Sequence, residues 1–387
     1  MILKYNCNIL TIAQIGGIFI KKEYEVVIEL SKLNQKDKSK LINLLDDKSI
    51  NWIEVLGYLC YHRLAGVAYE QVNSINIRKF DFPVFFSTYM IHQSQKQRTI
   101  IQKKYISEIT EKLNKANIQY VFLKGSILSN TLYPIGARAS NDIDILIEKK
   151  DLEKVTQILT DMELIQGKYD YRNNKIQKFE KLEIEQSIKT RGETSPFLKI
   201  INEPTAKTID VDVNFSLDWT PNINEDTIKY FLSQRTLLKI DNDISIYSLR
   251  LEHMFIQLCI HLYKDSALLD IVKKRKVLDL YKFIDLYLFV QTYFENIDIE
   301  LIYNDAKKFG FDKYIYFALI YVKEIFKDID NIRNVKNLLR KLDYIDENIM
   351  NIIYDQYDYN INIELKDNLI ERIFTYNIIN NNGGKNE

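Results

Sequence analysis

The stretch Tyr120–Ile147, YVFLKGSILSNTLYPIGARASNDIDILI, limits what this chain can fold into more than any other. A β-rich apolar run, Ile118 to Leu123, leads to the small-residue turn Gly125-Ser126. Ile127 to Leu132 reads as helix, Tyr133 to Asn141 as loop, and Asp142 to Ile147 as a second strand. Asp142 and Asp144 interrupt that strand at i and i+2, which puts both carboxylates on one face. Like charges buried side by side are costly unless a positive group joins them. A divalent cation is the usual solution. The segment therefore predicts a metal site, and the Gly-Ser turn predicts that the metal holds phosphate.

The rest of the chain is expected to frame this unit. Asp151 is a candidate cap for a helix from Leu152 to Met162, closing a β-α-β-α arrangement. Residues 165–207 are polar with alternating patches and read as hairpins or a long excursion. Thr208 to Leu217, TIDVDVNFSL, alternates strictly and predicts a third strand. Upstream, Ser49 is a candidate cap for a helix from Trp52, and a long helix from about Phe85 to Ala116 ends at a candidate C-cap, Asn117. Beyond Asp226 the pattern is mostly helical. The expected class is α+β: a mainly helical N-terminal region (1–116), a core with a small mixed sheet (117–220), a helical C-terminal domain (221–379) and a frayed tail (380–387).

Composition narrows the setting. The 387 residues suffice for two or three domains with real cores. With 27% charged residues and zero formal net charge, nothing general favours binding along long DNA or RNA. Cys7, Cys60 and Cys259 lie far apart in apolar contexts, as buried reduced thiols do, and form no zinc pattern. Ile9 to Ile20 is apolar but interrupted by Thr11, Gln14 and two glycines, too short to cross a membrane. A cytoplasmic location with no membrane partner is the expectation.

The residues around the turn suggest phosphoryl chemistry. Gly125 is expected to let the backbone turn tightly and admit a phosphate. The Ser126 hydroxyl and the first amides of the next helix are donors for an anion. Lys124 and Arg138 are candidate phosphate partners, and Arg138 reads equally well as a structural bridge neutralising the carboxylates. A third carboxylate is available on the third strand from Asp210 or Asp212, which share a face. Two metal ions held by three carboxylates stabilise the attacking and leaving oxygens of an in-line phosphoryl displacement.

In this order, LKGS, NDIDILI and VDVNF resemble the DNA polymerase β-type nucleotidyltransferase superfamily. The chain more closely resembles a bacterial nucleotidyltransferase family with an LKG-x-x-L, YP, G-x-R, DIDIL core. The matching residues are Leu123 to Ser126, Tyr133-Pro134, Gly136 to Arg138, Asp142 to Asp144, and Val211 to Phe215. Outside the core, Trp52, His62-Arg63 and Ala65 resemble its N-terminal helical segment, and Leu258 to His261, Lys264 and Asp285 its C-terminal one. Coverage is roughly residues 50–290.

The resemblance implies a Mg²⁺-dependent transfer of an NMP from an NTP, with ATP the expected donor, to an acceptor hydroxyl, with release of pyrophosphate. It implies two Mg²⁺ ions, with Mn²⁺ as the alternative, held by Asp142, Asp144 and Asp212. Asp212 is preferred to Asp210 because VDVNFSL aligns with the family strand without a gap. Lys124, Gly125, Ser126, Arg138 and Lys264 would contact the nucleotide. Asn214 stands where the family often has His. His62 is expected to be structural and His261 a packed core histidine. The acceptor stays open among small molecule, peptide, protein and RNA. Three other readings stand beside this one: a toxin of a toxin–antitoxin or phage-defence pair using the same chemistry on RNA or protein, a nucleotide-sugar glycosyltransferase using DxD, and a non-catalytic binding protein that kept the fold.

Overall fold

The computed structural model of the chain describes residues 12–375 apart from 16–17, 76–80, 219–224, 270, 272–277, 355–361 and 365–368. Cys7 and the tail 380–387 lie outside the described residues. An N-terminal hairpin, β1 (Ile12–Ile15) and β2 (Ile18–Lys21), leads into helices α1 (Lys22–Ser31), α2 (Ser39–Leu45), α3 (Trp52–Tyr61) and α4 (Ala65–Asn73). Asn51, not Ser49, caps α3, its side chain accepting the Glu54 N–H at 3.3 Å. The Ser49 hydroxyl is turned onto Asp47 instead, at 2.7 Å. The long helix α5 (Phe82–Lys115) starts at Asp81, which accepts the Val84 N–H at 3.2 Å, and has Pro83 in its first turn. Its 34 residues span about 50 Å at the usual helical rise. It ends where Asn117 turns left-handed (φ +53°), a conformation asparagine tolerates.

The core follows as β3 (Tyr120–Phe122), α6 (Gly125–Thr131), β4 (Ile143–Ile147), α7 (Leu152–Asp161), the hairpin β5 (Ile165–Asp170) and β6 (Lys175–Lys178), α8 (Lys181–Arg191), β7 (Phe197–Glu203) and β8 (Ala206–Asn214). Asp151 makes no side-chain cap on α7, because a 3-10 turn, Lys149–Asp151, feeds that helix. After α9 (Glu225–Ser233) the chain returns to the sheet as β9 (Thr236–Lys239) and β10 (Ser245–Ser248). These two strands lie within the region 221–379 that was expected to form a helical domain, and they add to the core sheet. They complete an eight-stranded sheet of order β6-β5-β7-β8-β4-β3-β10-β9. The β4–β8 and β3–β10 pairs are parallel and the others antiparallel.

β4 is central, and every one of its residues is buried. Ile143, Ile145, Leu146 and Ile147 are fully buried, each contributing about 1.5–3 kcal/mol of apolar burial. That gross gain, an upper bound, lets the strand carry a 3%-exposed carboxylate, Asp144, in its middle. α5 packs along the sheet against α6, α7 and β10. The C-terminal helices α10 (Leu251–Ala267), α11 (Leu280–Tyr293), α12 (Ile299–Phe309), α13 (Asp312–Ile325), α14 (Arg333–Lys341) and α15 (Leu369–Phe374) form the other half. A short ladder, β11 (Ile352–Tyr354) with β12 (Asn362–Glu364), lies between the last two helices in sequence. α10 packs on α11 and α13 through rings such as Phe255 on Phe294 and Tyr263 on Phe317. Tyr24 of α1 stacks on Phe374 of α15, joining the two ends. Cys259 is a buried free thiol as expected, whereas Cys60 is exposed on α3.

Candidate active site

Strand register brings the carboxylates together. β4 and β8 pair with Asp144 opposite Asp212 and Ile143 opposite Val211. Register partners project to one side of a sheet, about 4.8 Å apart. Asp142 sits one residue before β4 and lines the same cavity as Asp144. Two unit charges at that spacing repel by about 3 kcal/mol at an effective dielectric near 20. Burial, then Asp144, Asp142 and Glu193, push the Asp212 carboxyl well above the usual range, with Lys124 opposing. Burial and Asp144 likewise raise Asp142 against Lys124 and Arg138. Asp210, one alternation back on β8, is raised by burial and lowered by Thr208 and Arg98, and it answers to none of the other three carboxylates.

Lys124 carries the compensating charge. Its ammonium lies 2.8 Å from Asp144. Burial alone would depress its pKa, but Asp144 and Asp142 outweigh burial and raise it. Its backbone is left-handed (φ +44°, ψ −116°) at the start of α6. The tight turn expected at Gly125 therefore falls on the lysine.

Gly125 is the first residue of α6, not a turn residue, and its missing side chain serves a different purpose from the one expected. A Cβ there would lie 2.2 Å from Ser140 Oγ and 2.9 Å from an Arg138 guanidinium nitrogen. The small residue lets α6 close on the loop before β4. Ser126 is buried, and its hydroxyl has no hydrogen-bond partner among the described residues. The loop is also held from behind by α5. Gln102 donates to the carbonyls of Ser140 (3.3 Å) and Asp142 (3.5 Å), and Arg98 to that of Asn141 (3.3 Å). Gly136 in this loop has φ +99°, and a Cβ there would meet His92 of α5 at 2.8 Å.

Arg138 forms a structural bridge, but to Asp285 of α11 and not to the Asp142 and Asp144 carboxylates that the bridging reading named. Its Nε and Nη2 donate to Asp285 of α11 at 2.8 and 2.7 Å, and Tyr133 donates its hydroxyl to the same carboxylate at 2.7 Å. Burial works against the guanidinium charge, but Asp285 overrides it and raises the pKa. The loop is thereby clamped to a helix 147 residues away in sequence.

The C-terminal half closes the site. A cavity of about 210 Å³ is walled by Asp142, Asp144, Gly125 and Ser140 on one side and by His261, Asp265, Tyr281 and Lys282 on another. His261 lines this cavity, so it is a wall residue and not the packed core histidine expected. Its Nε2 lies 3.6 Å from Asp265, and burial drives its pKa well down despite that carboxylate. Lys282 is ion-paired with Asp265. A smaller recess on the far side of Lys124 and His261 is lined by Glu193, Asn214 and Lys264. Lys264 lies 3.9 Å from Glu193. His62 is fully buried, and its Nδ1 accepts the Leu280 N–H at 3.2 Å, a structural role as expected.

Glu193, Gln102 and Asp285 were not legible as site residues in the sequence. Glu193 comes from the end of the excursion and reaches the site through a bridge to Asn214. Asp285 carried only its place in the family resemblance, and Gln102 only its place in a polar stretch of a long helix.

The donor set suits a cation in kind: Asp142, Asp144, Asp212 and Glu193 act electrostatically on one ammonium, that of Lys124. As the side chains stand, no three His, Cys, Asp or Glu residues converge on a metal position among the described residues. Asp144 is occupied by Lys124.

No curated protein matches the chain. A solved structure of an antigenic nucleotidyltransferase-like protein from Paracoccidioides brasiliensis matches at 14% identity, covering 60% of this chain and 91% of that one. Its TM-score of 0.35 is too low to bear on the argument. Among the described residues no helix is long and apolar enough to cross a membrane. The family described as "Uncharacterised nucleotidyltransferase" matches residues 48–327, which hold every carboxylate and cation of the site, and the chain belongs to that family.

Proposed function

We propose that this chain transfers an NMP from an NTP to an acceptor hydroxyl, releasing pyrophosphate, with Asp142, Asp144 and Asp212 holding two divalent cations, Mg²⁺ or Mn²⁺. The observation that carries this reading is the register pair Asp144–Asp212 beside Asp142, with Lys124 the one ammonium set against them among the described residues. Bound there, divalent cations would neutralise phosphate charge and acidify the acceptor hydroxyl. Loading the site would require Asp144 to exchange Lys124 for the cation, which frees the ammonium for the phosphates. The acceptor oxygen bonds to the α-phosphorus, the bond from that phosphorus to the bridging oxygen breaks, and pyrophosphate leaves. Asp212, as a cation ligand or as general base, would help remove the hydroxyl proton. Arg138, spent on Asp285, keeps the loop in position, and Ser126 and Lys264 remain candidate nucleotide contacts.

ATP is the expected donor. Incubation with α-labelled ATP, GTP, CTP or UTP, Mg²⁺ and a cell extract, followed by mass spectrometry, should find one class of molecule that gains an NMP. Label appearing only as free NMP, with no acceptor gaining it, would rule the reading out.

A further inference from the structure

Four cations line the 210 Å³ cavity: Arg63, Lys124, Arg138 and Lys282. Three of them hold carboxylates, namely Asp144, Asp285 and Asp265. The ion pairs among the described residues leave Arg63 without one. Its guanidinium lies instead over the ring of Tyr281, 5.3 Å from the centroid. A guanidinium stacked on a ring spends its face and keeps its in-plane N–H donors free.

The backbone at Arg63 is equally unusual. α3 ends in a Schellman motif, with the Leu64 N–H bonded to the Leu59 carbonyl (2.7 Å) and the Arg63 N–H to that of Cys60 (3.2 Å). The residue at this place must turn left-handed, and glycine is the usual occupant. Here arginine takes φ +59°. Seven non-glycine residues among those described have positive φ, and three are asparagines, which tolerate it. Of the remaining four, Arg63 and Lys124 line this one cavity. Strained residues collect where a side chain must be presented in a fixed direction. The end of α3 is also pinned, because His62 accepts the Leu280 N–H next to Tyr281. Arg63 is thus held at the end of α3 in the lining of the cavity that Asp142 and Asp144 also line.

We propose that Arg63 is the residue that grips the triphosphate of the nucleotide donor, in the role expected of Arg138. The proposal rests on the nucleotidyltransferase reading. A planar fork of donors matches phosphate oxygens in pairs, and this guanidinium lines one cavity with Asp142 and Asp144.

The test is calorimetric binding of ATP and of inorganic triphosphate, each with Mg²⁺, to the full chain and to Arg63→Gly and Arg63→Met. Loss of a charge-assisted phosphate contact should weaken both ligands about 10- to 100-fold. Arg63→Gly should at the same time raise the thermal midpoint by about 2 °C, because glycine relieves the left-handed backbone, so weaker binding cannot be put down to unfolding. Unchanged affinity in both variants, with a binding parent chain, overturns the role of Arg63 alone. A parent chain that binds neither ATP nor inorganic triphosphate overturns the donor reading and this proposal with it.

Discussion

Replacing Asp285 with alanine isolates the clamp that holds the loop before β4. In the native chain its two oxygens take two guanidinium bonds from Arg138 and the hydroxyl of Tyr133. Asp285 is 3% exposed and Arg138 7%, so solvent cannot replace the lost partner. Breaking one side of a buried pair costs about 3–5 kcal/mol, because the other charge is left uncompensated. The orphaned Tyr133 hydroxyl adds about 1 kcal/mol. Asp285→Ala should therefore destabilise by about 4–6 kcal/mol in urea unfolding followed by circular dichroism. Tyr133→Phe alone should cost only the last part. The double variant Asp285→Leu/Arg138→Met removes both charges, and should recover most of the loss. If Asp285→Ala costs under about 1 kcal/mol, or if the double variant recovers nothing, Arg138 is not committed to Asp285 and is free for the phosphates.

Gly125→Ala would force a Cβ to within 2.2 Å of Ser140 Oγ, and should cost about 1–3 kcal/mol in thermal unfolding. Adding Ser140→Gly should return part of that, and no recovery would mean the contact is not the cause. Burial holds the His62 imidazole down to about 3, far below its usual 6.5. The unfolded chain takes up a proton that the folded one refuses, so this contribution to stability is full above about pH 6.5 and is lost as the pH falls toward 3. Between pH 7.5 and 5.5 the parent should lose about 1.4 kcal/mol more than His62→Gln, which keeps an acceptor for Leu280 but cannot charge. Equal losses would show that the imidazole is not kept neutral.

The strands that carry the carboxylates were legible because their signal is local. Alternation in TIDVDVNFSL and the apolar run around Asp144 state both the element and the face. The turn was misread for a local reason too. Gly-Ser suggests a turn, and nothing about a lysine suggests φ +44°. That conformation accompanies a bond from Lys124 to Asp144, twenty residues on. β9 and β10 are only four residues each, too short to stand out beside the helices around them. Their turn at Asp241 is tied to α5 by Lys103, a contact spanning 138 residues. The partner of Arg138 was equally remote. The residues that complete the site from the C-terminal half, His261 and Tyr281, depend on how two halves of the chain dock. No window of sequence encodes that.

The account turns on which carboxylates act as a set. The most direct measurement compares Asp142→Asn, Asp144→Asn, Asp210→Asn and Asp212→Asn for Mg²⁺-dependent transfer of α-labelled NMP in the extract assay. Transfer should be nearly abolished in the variants at 142, 144 and 212 and kept close to the parent level in Asp210→Asn. Transfer that survives at 144 and 212, or that is lost at 210 alone, would contradict it.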